Sequence, residues 1–199
     1  MVKYFSAKRI AFLSVFTALI LVVTMFVQVP NPLMGYTNLG DAFIFLGAMC
    51  FGPAFAAVSG SIGSALADVL LGYAMYAPFT FVVKGLEGFL AGILLRALLK
   101  TKCNRHAAVL LSCFIAACEM AAGYFLADSA LYGGFASGLA GLANNAIQGA
   151  AGIVVAYIFT FVLSRVKDFD KFAQNPLSSR KKSEKTAETE ENKDEDHPD

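Results

Sequence analysis

Tryptophan is absent from this 199-residue chain, histidine occurs only twice, and no Gly-x-x-x-x-Gly-Lys-Ser/Thr loop is present. The missing loop excludes ATP binding of the P-loop kind. His106 and His197 fall in a predicted polar loop and a charged tail. That placement excludes a Ser-His dyad or a histidine metal centre in a membrane-embedded pocket. Cys50, Cys103, Cys113 and Cys118 include no C-x-x-C pair, so neither a zinc site nor a disulfide framework is expected, and they read as small apolar residues. No cofactor, no metal and no nucleic-acid partner is expected.

What the chain does have is apolar length. Hydrophobic residues make up 57% of it and the mean hydropathy is +0.60, above the roughly 45–50% apolar content of soluble domains. The net charge of +1 conceals a split. Residues 1–164 hold 8 Lys/Arg and 5 Asp/Glu, whereas residues 165–199 hold 8 and 10. Two parts follow: a membrane domain over 1–167 and a charged, disordered cytoplasmic tail over 168–199. The basic triplet Arg180-Lys181-Lys182 could touch anionic lipid, but a solvated spacer is the preferred reading.

About 20 apolar residues cross the hydrocarbon core as a helix. The predicted spans are 10–29, 41–51, 54–71, 78–99, 107–127 and 139–163, an all-α bundle of six transmembrane helices. The second is short and must extend back toward Asn38 to cross. Phe51-Gly52-Pro53 separates it from the third as a tight turn. Lys3, Lys8 and Arg9 precede the first span, Arg96, Lys100, Lys102 and Arg105 lie between the fourth and fifth, and Arg165 and Lys167 follow the sixth. The loops on the other side carry none, so both termini are expected in the cytoplasm. The first run is too long for a signal peptide and lacks an Ala-x-Ala site, so it is read as a span.

Asp41, Asp68, Lys84, Glu87, Glu119 and Asp128 interrupt or border these runs, and all map toward the outer side. A charge at the bilayer centre costs about 2.5–3.5 kcal/mol on insertion scales, so such residues face a pocket, a pathway or a partner helix. At 1.5 Å per residue from outer ends at Pro78, Asp128 and Gly138, Lys84 and Asn144 lie about 9 Å deep, Glu87 and Glu119 about 13 Å, and Gln148 about 15 Å. The set converges on a site open to the outside. The plainer account is that Lys84 and Glu87, three apart, neutralise each other while Asn144, Asn145 and Gln148 hold helices together. Tyr36, Tyr73, Tyr76, Tyr124 and Tyr132 also cluster at the outer end; an interfacial aromatic belt explains most of them. Tyr76 and Tyr36 are the better candidates to stack on a ring. On the first helix Ala11, Ser14 and Ala18 share a face of small residues that permits close approach of another helix.

The ordered run Asn38-Leu39-Gly40-Asp41, Phe51-Gly52-Pro53, Gly63-Ser64-Ala65-Leu66-Ala67-Asp68, Tyr76-Ala77-Pro78 and Lys84-Gly85-Leu86-Glu87-Gly88 with Ala91-Gly92 resembles the substrate-binding S components of energy-coupling factor (ECF) transporters, in the branch of riboflavin-type and hydroxymethylpyrimidine-type members. The resemblance covers residues 11–163. It implies a non-catalytic, multi-pass subunit of a bacterial plasma membrane that captures a small vitamin from outside. It also implies partners: one transmembrane coupling subunit and two ATPase subunits, which would supply the energy. Ala11, Ser14 and Ala18 would dock on the coupling subunit, with Ser14 where the family has alanine. Ligand contact would fall to Asn38, Asp41, Tyr76, Lys84, Glu87, Glu119, Asn144 and Gln148. Asp68, as a partner of Lys84, and Asn145 would be structural. A site mixing one cation with carboxylates and amides suits a small planar heterocycle, a hydroxymethylpyrimidine precursor of thiamine or a vitamin B6 form, with riboflavin the alternative. The rival readings are a stand-alone secondary carrier, against which no inverted repeat is visible, and an intramembrane hydrolase using Asp68 with Asp41.

Overall fold

The computed structural model describes residues 7–30, 35–166 and 176–177. Its elements run in the order α1 (Ala7–Phe26), β1 (Gln28–Pro30), β2 (Tyr36–Asn38), α2 (Gly40–Cys50), α3 (Pro53–Leu70), α4 (Ala77–Leu98), α5 (Arg105–Tyr132) and α6 (Phe135–Leu163). The six helices match the predicted spans closely. Three of them, α3, α5 and α6, are long and apolar enough to cross a bilayer by length and composition.

Local chemistry places the breaks. Gly52 turns the chain with φ +97°, a conformation that side chains resist, and Pro53 then opens α3 where its missing N–H costs nothing. Asn104 caps α5 by accepting a hydrogen bond from the His106 backbone N–H at 2.8 Å. Gly133, in the left-handed region, closes α5.

Two expectations need correction. The second span does not extend back toward Asn38 as helix. Residues 36–38 instead pair antiparallel with 28–30, Gln28 opposite Asn38 and Pro30 opposite Tyr36. At 11 residues, α2 is about 16 Å long and covers only half of a bilayer core. It can be that short because protein surrounds it: every residue except Phe43 is buried. The fifth helix runs five residues past the predicted end at 127, to Tyr132. Measured from there, Glu119 lies about 20 Å deep instead of 13 Å.

Aromatic contacts distinguish the two ends of the bundle. Tyr36 packs on Tyr73 and Tyr76 on Tyr132, which gathers the hairpin, the α3–α4 link and the α5–α6 turn at one end. At the other, His106 bonds Tyr157 at 2.8 Å. An apolar core of Phe45, Met49, Leu95, Val109, Cys113 and Ala156 fills that second half. The buried charges occupy the first. Helices α3 and α4 approach closely at Gly88 and Gly92, where a Cβ would stand 2.7 Å from the Ala56 carbonyl and 2.6 Å from the Pro53 Cα. No disulfide joins the cysteines, of which Cys50 and Cys113 are buried, Cys103 half-buried and Cys118 exposed.

The predicted tail, 168–199, lies outside the described residues apart from Pro176 and Leu177, and Leu177 packs half-buried against the apolar core. Lys3, Tyr4, Lys167 and His197 also lie outside them.

Candidate functional site

Between the hairpin and the halves of α3 to α6 nearest to it lies a cavity of about 50 Å³. Strand β2 contributes Tyr36, Thr37 and Asn38, α3 contributes Ser64 and Asp68, and α4 with the link before it contributes Tyr73, Tyr76, Thr80 and Lys84. Tyr124 and Asp128 come from α5, Gly141, Asn144, Asn145 and Gln148 from α6, and Thr24 from α1.

The helical repeat explains this assembly. Ser64 with Asp68, Thr80 with Lys84, Tyr124 with Asp128 and Asn144 with Gln148 are each four apart, so each pair projects from one helix face. Four short polar stripes thus meet at one level of the bundle.

Lys84 forms the floor. Its ammonium donates to Asp41 Oδ1 and, at 2.9 Å, to Glu87 Oε2, and it stands 5.5 Å over the ring of Tyr124. Lys84, Asp41 and Glu87 are 2%, 0% and 0% exposed. Asp41 also lies in the first turn of α2, where the helix dipole favours a carboxylate. Gln148 ties this floor to the hairpin: its Nε2 donates to Asp41 Oδ2 at 3.0 Å, and its Oε1 accepts from the Asn38 backbone N–H at 2.9 Å.

The walls repeat one device. Tyr36 donates its hydroxyl to Asp68 Oδ1 at 2.6 Å, and Tyr76 donates to Asp128 Oδ1 at 2.6 Å. Thr80 and Tyr124 share a hydroxyl bond of 3.0 Å. Burial, followed by the negative charge of Asp68, pushes the Tyr36 phenol well above its ordinary value, so it stays a donor.

Of the residues expected to touch a ligand, Asn38, Tyr76, Lys84, Asn144 and Gln148 line the cavity. Asp41, Glu87 and Glu119 do not. The first two are enclosed around Lys84, and the third, on α5, stands off the cavity. Asp68 and Asn145, expected to be structural, both line it. Asp68 is bonded by Tyr36, and the ion-pair partners of Lys84 are Asp41 and Glu87. The tyrosine belt also needs revision: Tyr36, Tyr73, Tyr76 and Tyr124 line the cavity, leaving Tyr132 outside it. Thr24, Thr37, Ser64 and Thr80 were missed, although the four-residue spacing to Asp68 and Lys84 would have found Ser64 and Thr80.

Away from the cavity, Ala11, Ser14 and Ala18 are all exposed on α1. The Ser14 hydroxyl is satisfied within its own helix, donating to the Ile10 carbonyl at 3.0 Å. A polar cavity enclosed by a helical bundle, with apolar outer faces and one helix presenting small residues, defines a membrane-embedded solute-binding protein.

Comparison with known proteins narrows the class. The chain belongs to the family described as ECF-type riboflavin transporter, S component, whose match spans residues 4–165. It is 34% identical over 145 residues, 72% of this chain and 93% of the relative, to an uncharacterized protein of Pyrococcus woesei. It is 29% identical over 160 residues, 79% of this chain and 89% of the relative, to the thiamine precursor transporter HmpT of Lactococcus lactis subsp. cremoris. The protein is therefore a vitamin- or precursor-binding membrane subunit of an ECF transporter, a non-catalytic role. S components of this kind work with an ECF module of coupling and ATPase subunits.

Proposed function

We propose that the cavity captures a single-ring vitamin precursor bearing amino and hydroxymethyl groups, a hydroxymethylpyrimidine-type thiamine precursor or a vitamin B6 form. The observation that carries this reading is the size and lining of the cavity. About 50 Å³ is small beside the roughly 300–1,000 Å³ of drug-sized sites, which favours one ring over a fused tricycle. Tyr36, Tyr73, Tyr76 and Tyr124 offer ring faces, and the amides Asn38, Asn144, Asn145 and Gln148 offer paired donors and acceptors. The similarity to a thiamine precursor transporter supports the same choice. Riboflavin is the second candidate, favoured by the family's name.

In this reading Asn38, Tyr76, Lys84, Asn144 and Gln148 contact the ligand. Asp41 and Glu87 hold Lys84 in place, and Glu119 lies beneath. The ligand enters from outside, with both termini in the cytoplasm of a cell whose plasma membrane the chain crosses repeatedly. Ala11, Ser14 and Ala18 meet the coupling subunit, and two ATPase subunits drive release. Residues 1–167 form the membrane domain, and 168–199 form an appended tail.

The test is thermal stabilisation of the purified protein against a panel of vitamins and precursors. A ligand at 100 times its dissociation constant adds about 2.7 kcal/mol. One pyrimidine or pyridine should shift the transition, and Asn144→Ala should abolish the shift. A shift with riboflavin alone would overturn the single-ring assignment.

A further inference from the structure

Charge on the outer half of this bundle is one-sided. Between residues 10 and 95 the only Lys or Arg is Lys84, and between 106 and 164 there is none. Lys84 is already held between Asp41 and Glu87. Two further carboxylates, Asp68 and Asp128, stand in the cavity wall, each only 4% exposed. Each is gripped on one oxygen by a tyrosine hydroxyl. Such a bond fixes the direction of the carboxylate and leaves the other oxygen as an acceptor. Asp68 Oδ2 is buried with no hydrogen-bond partner among the described residues, an acceptor lacking a donor in a site that a ligand would fill.

We propose that Asp68 and Asp128 are specificity determinants that make this cavity take a neutral or cationic heterocycle bearing N–H donors and refuse the phosphate ester of the same compound. The inference rests on the ligand reading above and deepens it. An amino group or a protonated ring nitrogen gives the wall the donors it lacks. A phosphate meets two fixed carboxylates, and the one cation that could answer it is already neutralised from below. Like charges this close in a water-poor site repel strongly. A phosphorylated precursor outside the cell must therefore lose its phosphate by hydrolysis before this protein takes it up.

The experiment measures dissociation constants by thermal shift on the full chain. Its probes are matched pairs: 4-amino-5-hydroxymethyl-2-methylpyrimidine, pyridoxine and riboflavin, each beside its phosphate ester. The alcohol that binds should do so at least about 100-fold more tightly than its ester, equivalent to about 2.8 kcal/mol. Asp128→Asn and Asp68→Asn keep the tyrosine bond while removing the charge, and each should narrow that gap about tenfold. An ester that binds wild-type protein within tenfold of its alcohol overturns the proposal and leaves the ligand reading standing. A gap of 100-fold that neither variant narrows overturns the assignment to these two residues. If no alcohol binds, the ligand reading falls and this inference falls with it. The wild-type comparison decides the matter even if a variant fails to fold.

Discussion

Replacing Lys84 with methionine tests the floor of the site directly. Methionine keeps most of the side-chain length and removes the ammonium, so the change is one of charge more than of volume. In the native protein that ammonium contacts both Asp41 and Glu87, and all three residues are at most 2% exposed. Removing one partner of a buried ion pair costs about 3–5 kcal/mol, because the remaining charge is left without compensation. For a domain of this size 1 kcal/mol corresponds to about 2–4 °C, so Lys84→Met should lower the unfolding midpoint by about 6–20 °C. The triple variant Lys84→Met, Asp41→Asn, Glu87→Gln carries no charge there and should recover most of that loss. Thermal unfolding of the four proteins, wild type, Lys84→Met, Asp41→Asn with Glu87→Gln, and the triple variant, measures the coupling. The reasoning is refuted if Lys84→Met unfolds at the wild-type temperature, or if the triple variant is no more stable than the single one. Ligand binding separates the two roles of Lys84: stability should return in the triple variant while the ligand-induced shift does not.

Other expectations follow from single contacts. Tyr36→Phe removes a hydroxyl bonded to a carboxylate and should cost about 1.5–3 kcal/mol; an unchanged unfolding midpoint would contradict the bond. Because burial and Asp68 raise the Tyr36 phenol, its stabilisation should be complete below about pH 10, the unfolded value, and decline as pH rises above that. Comparing the alkaline stability of wild type and Tyr36→Phe checks the sign. Gly88→Ala would drive a Cβ to 2.7 Å from the Ala56 carbonyl and should destabilise by about 1–3 kcal/mol through overpacking. A variant as heat-stable as wild type would mean that α3 and α4 can part at no cost. Ala18→Trp, on the exposed face of α1, should leave the ligand-induced shift intact and abolish co-purification with the coupling subunit. Retained co-purification would move the docking face elsewhere. Deleting residues 178–199 spares Leu177 and should leave ligand affinity unchanged, as titration of the truncated protein would report.

Energy coupling is divided in a way that the chain itself reflects. The sequence has no P-loop motif, and S components of this kind work with an ECF module of coupling and ATPase subunits.

Apolar run length determined the six helices, since a chain in lipid satisfies its backbone within each helix and the length needed to cross is set by the bilayer. Lys and Arg placement determined the expected orientation, and the scatter of Asp41, Asp68, Lys84, Glu87 and Asp128 determined which end would be polar. Gly52-Pro53 marked its turn because those residues act locally. Other features depended on the tertiary structure. The hairpin of 28–30 with 36–38 is too short to carry a periodic signal. Helix α2 could stop at 11 residues only because its neighbours shield it from lipid. Which carboxylates answer Lys84 depended on the rotation and depth of α2, α4 and α5, which periodicity along one helix leaves open. So Asp41 and Glu87, expected at the ligand, enclose Lys84 instead, and Asp68, expected as a structural partner of Lys84, lines the cavity wall. The ordered motifs identified the kind of protein, and packing decided which of its charges a ligand would meet.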